Sequence, residues 1–260
     1  MKKTFEQLDD FVIQLMQHVR QQVLAHLQQP LEVKTKSNSR DLVTNVDRLV
    51  EQYYVKAIRE FDPMAKILGE EGFGDSINSM AGSIWIVDPI DGTLNFVKQQ
   101  NQFATMVACF EDGQPRGAWI LDVMENELLH GSPECGVWLN SEKLNAPANL
   151  SLVESIVSLS GARLLHNTPG FQAVAGAALG YRVYGSAGIS FIRLARGQVG
   201  AFMSYLKPWD FAAGQVLCQT LGLQITKFDK RVDDMLSSSL IVAATKNATN
   251  DILALTNTSM

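Results

Sequence analysis

Ile84-Trp85-Ile86-Val87-Asp88-Pro89-Ile90-Asp91-Gly92-Thr93 decides how the rest of the chain is read. Four consecutive apolar residues show no alternation, so the run suits a strand buried on both faces. It ends in two aspartates, with a rigid Pro between them and Gly-Thr after them. Taken alone, Asp88-Pro89 and Asp91-Gly92 are ordinary turn pairs. Two carboxylates delivered to the end of a buried strand must still be neutralised, by a proton or by a cation.

Working outward, residues 65–68 form a second short apolar run that leads into the acidic loop Gly69-Glu70-Glu71-Gly72-Phe73-Gly74. Upstream, Phe5, Leu8, Val12, Leu15, Val19, Val23 and Leu27 recur at spacings of three and four. They predict an amphipathic helix opened by a Thr4/Gln7 capping box and closed before Pro30. A polar, basic loop spans 34–40. Thr44 is the expected N-cap of a second helix carrying Val46, Val50, Tyr54 and Ile58. Asp47 then sits in its first turn, where the helix dipole favours a carboxylate. Downstream, runs at 103–110, 117–123 and 127–130, with an Asp112-Gly113 turn, read as a β meander. The second half alternates strand candidates (155–160, 181–184, 199–203, 239–244) with helix candidates (168–179, 186–196, 210–221, 247–256), one of them headed by Asp210. The pattern is α/β in one body over 1–260, with at most a seam near 145.

Composition narrows the function. The chain has 260 residues, 46% of them hydrophobic, enough to bury a large core. Asp plus Glu number 27 against 22 Lys plus Arg, a net charge of -5, which does not suit a nucleic-acid polymer or a membrane surface as partner. No apolar run approaches the roughly twenty residues of a bilayer span. Asp9 and Asp10 interrupt any signal-peptide core. Cys109, Cys135 and Cys218 lack disulfide or metal spacing and read as reduced thiols of a cytoplasmic protein. His18, His26, His130 and His166 show no metal spacing either, and GxxxxGK[ST], strand-linked GxGxxG and GxSxG motifs are absent.

Glu70, Asp88, Asp91 and Asp210 all fall at ends of expected elements, where α/β folds gather ligands. Their hard oxygens suit Mg²⁺. A helix starting at Gly92-Thr93 would aim its free N–H groups at the same point and make an anion cradle. Cations on one side and a helix start on the other suit a phosphate ester. Two cations about 4 Å apart neutralise the ester and activate a water, so no protein nucleophile is needed.

Gly69-Glu70-Glu71, the stretch from Trp85 to Thr93, and Trp209-Asp210-Phe211-Ala212-Ala213-Gly214 resemble, in order and spacing, the signature motifs of the inositol monophosphatase family of lithium-sensitive, Mg²⁺-dependent phosphatases. Asp41-Leu42-Val43-Thr44-Asn45-Val46-Asp47 and Gly185-Ser186-Ala187 fit as well, so the resemblance covers nearly the whole chain. It implies a layered αβαβα sandwich of the sugar-phosphatase type, a homodimer, inhibition by Li⁺ and hydrolysis of inositol monophosphate or a related sugar phosphate. It further implies that Glu70, Asp88 and the Ile90 carbonyl hold one Mg²⁺ and that Asp88, Asp91 and Asp210 hold a second. A third ion would use Glu70 and waters. By the same resemblance Thr93 and Asp47 orient and deprotonate the attacking water, with Glu70 completing the catalytic group. Gly92, Thr93, Asp91, Gly185, Ser186 and Asp210 then contact the substrate, and Lys36 matches a lysine on a mobile loop.

One departure bears on the substrate. The family's inositol-binding glutamate, seven residues before the third-motif aspartate, falls on Met203, whose thioether cannot accept two strong hydroxyl hydrogen bonds. Fructose 1,6-bisphosphate, NADP and nucleotide 3′-phosphates therefore stay open as alternatives. Tyr205, Lys207 and Pro208 stand near that position, Lys207 as a pocket residue or as a solvated charge. Two rival functions are weaker. The D-x-D-G-T phosphatases that form an aspartyl phosphate space their aspartates by two, whereas here the spacing is three. A catalytically idle phosphate-binding protein would need a lost ligand, and all four carboxylates are present.

Overall fold

The computed structural model describes residues 3–29, 31–35, 42–166, 168, 170–228 and 235–257. Helix α1 (Phe5–His26) precedes a hairpin of β1 (Val33–Thr35) and β2 (Leu42–Thr44). Helix α2 (Asn45–Phe61) follows. Thr4 and Thr44 cap the two helices through capping boxes with Gln7 and Asp47. Next come β3 (Lys66–Gly69), β4 (Ser83–Asp91), α3 (Thr93–Gln99) and the meander β5 (Ala104–Glu111), β6 (Gln114–Asp122), β7 (Glu127–Ser132), β8 (Gly136–Leu139) and β9 (Glu142–Lys143). The second half holds β10 (Ile156–Leu159), α4 (Gly161–Leu165), α5 (Phe171–Ala177), β11 (Gly180–Arg182), α6 (Ala187–Ala195) and β12 (Ala201–Leu206). The chain then runs through α7 (Pro208–Thr220), β13 (Gln224–Lys227), β14 (Ser239–Ala244) and α8 (Lys246–Asn257).

Strands β3 to β9 form a seven-stranded sheet in chain order, parallel only between β3 and β4. The other sheet has five strands in the order β11-β10-β12-β14-β13. Period-2 alternation explains the uninterrupted apolar run in β4. Trp85 and Val87 pack with α1 and α2, while Ile84 and Ile86 pack with α6 and α7. Phe202, Ile241 and Ala243 of the five-stranded sheet close the same middle core from its far side. Val157, Met203 and Val242 turn outward to a third core with α5 and α8. Helices, sheet, helices, sheet and helices thus make the five-layer αβαβα sandwich.

Several boundaries depart from expectation. The helix expected over 168–179 is shorter, α5 at Phe171–Ala177, capped by Gly170 in the left-handed region at φ 87°, and α4 before it has no counterpart in the sequence reading. Strands β8, β9 and β13 have no counterpart in the sequence reading. The basic loop of 34–40 begins inside β1, and Lys36 lies outside the described residues. Asp210 does not head its helix: α7 begins at Pro208, and Asp210 in its first turn accepts the Lys207 N–H at 2.8 Å. No described helix is long and apolar enough to cross a membrane.

Candidate active site

Strand β4 carries the first two acids, and its irregularity aims them. Asp88 pairs with Met106 and Asp91 with Ala104, so β4 holds one extra residue across this interval. Such a bulge lets side chains three apart share a face. Helix α7 brings Asp210 from the other half of the chain. Asp88, Asp91 and Asp210 each offer a carboxylate oxygen, all within 4.8 Å of one another. Glu70, on the loop after β3, is close enough that its charge is the first electrostatic influence on Asp88.

The three aspartates are solvated differently. Asp91 accepts hydrogen bonds from the first turn of α6: from the Ser186 hydroxyl, from Ala187 N at 3.0 Å and from Gly188 N at 2.7 Å. Burial still pushes Asp91 up to about 6 against these bonds. Burial pushes Asp210 up to about 8, and the charges of Asp91 and Glu70 add to it. Burial and then Glu70, Asp91 and Asp210 hold Asp88 well above the ordinary carboxylate range. Its Oδ1 is buried without a hydrogen-bond partner. Among the described residues no Lys or Arg forms an ion pair with any of the three. An orphaned carboxylate oxygen within a hard-oxygen cluster fits a divalent cation and fits little else.

Beside the cluster, Thr93 opens α3. Its hydroxyl donates to Asp47 Oδ1 at 3.1 Å and lies 3.2 Å from the Ile90 carbonyl oxygen. Asp47 is itself held by Thr44, whose N–H donates to its Oδ2 at 2.8 Å. Sequence alone could not show that Thr93 and Asp47, 46 residues apart, meet. Gly92 is needed where α3 and α6 start side by side. Its φ is 88°, and an added Cβ would lie 3.0 Å from Ser186 Cβ.

A cavity of about 390 Å³ opens in front of Asp91 and Asp210, between the start of α4 and the starts of α3 and α6. Ser160, Gly161, Ala162, Val183 and Gly185 line it, together with Phe202, Ser204 and Leu206 of β12. Met203 does not. Strand alternation turns it to the opposite face, fully buried among Val157, Leu159 and Val242. The side chain that faces the pocket from this strand is Ser204, one residue on. The expectation that Met203 limits polyol binding is therefore withdrawn.

Three positions around the site carried no signal in the sequence reading. Asn95 donates to the carbonyls of Gln102 and Tyr184, at 2.8 and 2.7 Å, and fastens α3 to the turn before Ser186. Thr105 donates to the Asp88 carbonyl at 3.1 Å, which leaves Tyr54 as the donor to Thr105 at 2.9 Å. Glu51 is fully buried one turn beyond Asp47.

A five-layer αβαβα sandwich, with clustered carboxylates where two sheets and two helix starts converge, defines a phosphoric monoester hydrolase that works with divalent cations. The chain belongs to the Inositol monophosphatase family, whose profile matches residues 5–260. An inositol-1-monophosphatase of Bacillus subtilis (strain 168) is 34% identical over 242 residues, 91% of each chain. The crystal structure of a staphylococcal inositol monophosphatase-1, an inhibitory complex soaked in 100 mM LiCl, has TM-score 0.90 at 27% identity, covering 98% of this chain and 96% of that one. An IMPase/NADP phosphatase complexed with Mg²⁺ and phosphate has TM-score 0.87 at 29% identity, covering 97% and 96%.

Proposed function

We propose that this chain hydrolyses inositol monophosphate, or a related sugar phosphate, with Mg²⁺ held by Glu70, Asp88, the Ile90 carbonyl, Asp91 and Asp210. The observation that carries it is the unpartnered Asp88 Oδ1 inside the carboxylate cluster. Bound Mg²⁺ would supply charge neutralisation for the ester and a lowered pKa for water. The chain's own groups do the rest. Thr93 Oγ1 donates its proton to Asp47 Oδ1, so its lone pairs stay free to accept from the attacking water. The start of α3 at Gly92-Thr93 has no side-chain cap, and its N–H groups remain for phosphate oxygens. Gly185 and Ser186 border the organic part of the substrate, with Ser160 and Ser204 as hydroxyl partners. The cavity is of ordinary size for a small-molecule site.

A homodimer, a cytoplasmic location and one catalytic body over 1–260 complete the proposal. Strand β11 is a sheet edge flanked by exposed Leu179 and Val183 and carrying exposed Tyr181, a surface that pairing with a second copy would cover. The cysteines are unpaired, as a reducing compartment requires. One core spans both sheets and α6 and α7.

The test is phosphate release from inositol 1-phosphate by metal-stripped protein with and without added Mg²⁺. Turnover is expected only with Mg²⁺. Asp91→Asn and Asp210→Asn should each lower it at least roughly a hundredfold with an unchanged circular dichroism spectrum. Near-normal turnover in either variant refutes the ligand assignment.

A further inference from the structure

Glu51 is an acid in the middle of helix α2. It lies on the buried face with Val50, Tyr54 and Val55 and has no exposed surface. Among the described residues no Lys or Arg pairs with it. Burial and the charges of Glu71 and Glu70 all oppose its ionisation. What it does have is the loop after β3. Oε2 accepts the Glu71 N–H at 2.5 Å and Oε1 accepts the Phe73 N–H at 2.8 Å. Gly69, at the end of β3, comes so close that an added Cβ would sit 2.5 Å from the carboxyl carbon. Residues 69, 71 and 73 therefore curl around one carboxylate, and Glu70 is fixed between two of them. An amide could not do the same, because it has one acceptor oxygen where the carboxylate presents two.

We propose that Glu51 is a positioning residue that shapes the 69–73 loop and so sets Glu70 against the Asp88, Asp91 and Asp210 cluster. This rests on Glu70 acting as a cation ligand. Helix α2 then serves the site twice in successive turns, with Asp47 holding Thr93 and Glu51 holding Glu70. A buried partner one step behind a ligand is where a lost hydrogen bond is felt as lost metal affinity, by about ten- to a hundredfold.

The experiment uses the full chain, Mn²⁺ as the probe ion, and two variants that separate placement from charge. Glu51→Gln keeps the shape and loses one acceptor. Gly69→Ala keeps the carboxylate and displaces it. In both, backbone hydrogen exchange at Glu71 and Phe73 should quicken, and the Kd for Mn²⁺, read by electron paramagnetic resonance, should rise at least about tenfold. The Mg²⁺ concentration for half-maximal turnover should rise by the same factor, with substrate KM at saturating Mg²⁺ moving far less. Should Glu51→Gln fail to fold, Gly69→Ala carries the test alone. Wild-type Mn²⁺ affinity in Gly69→Ala overturns the proposal, because the effect would then belong to charge and not to placement. So does unchanged exchange at the two amides. Failure of the cation-site reading looks different, since the unaltered protein would then bind no Mn²⁺ here.

Discussion

Returning Mg²⁺ to the metal-stripped protein at pH 7 should release protons, in a number set by the three aspartates. Burial holds Asp210 up to about 8 and Asp91 up to about 6. At pH 7 a group at about 8 is roughly 90% protonated and one at about 6 roughly 10%. Asp210 thus contributes about one proton and Asp91 about a tenth. Burial and its acidic neighbours push Asp88 in the same direction. Only the carboxylates bind the ion, so these protons leave as it enters. Calorimetric titration in MOPS, HEPES and Tris measures the count as the slope of observed enthalpy against buffer ionisation enthalpy. At least about one proton is expected at pH 7, and Asp210→Asn should remove most of it. A slope of zero would refute the assignment of these acids to the cation site. The stability effect has a fixed sign. A carboxyl whose folded pKa is raised binds more protons folded than unfolded, so this contribution is present at acid pH and lost as pH rises through about 8. Mg²⁺ should accordingly raise Tm more at pH 8 than at pH 5.

Two substitutions test other parts of the site. Thr93→Val removes the hydroxyl that donates to Asp47 and should lower kcat about a hundredfold or more while Mn²⁺ affinity holds; kcat near that of the unaltered enzyme would contradict the relay. Met203→Glu places an acid in the core formed by Val157, Leu159 and Val242, so a loss of several kcal/mol should appear as a large fall in Tm. Ser204→Glu, facing the cavity, should instead change the ranking of phosphate esters. An altered ranking in Met203→Glu would show that the strand faces are exchanged.

Much of this was legible from local chemistry. Thr44 and Asp47 form a capping box because Ser/Thr and acid three apart satisfy each other's N–H groups. Ile84 to Val87 read as a doubly buried strand because neither face reaches water. What escaped depends on partners far away in sequence. Glu51 looks like any solvated helix acid until the 69–73 loop is folded onto it. Asn95 gains meaning only from the Tyr184 and Gln102 carbonyls. Met203 was assigned to the pocket by counting back from Asp210, and a one-residue difference reverses the face of a strand. Strands β8, β9 and β13 are short and belong to sheets that other strands hold in place, so little of their formation is written in their own residues.

The most direct test is a crystal of the protein soaked in Mn²⁺ and phosphate, with an anomalous difference map calculated at the manganese edge. Peaks are expected between Asp88, Asp91 and Asp210 and beside Glu70, with Asp88 Oδ1 in direct contact and phosphate between the ions and Thr93. Manganese bound only elsewhere on the protein, with Asp88 Oδ1 left uncoordinated, would contradict the account.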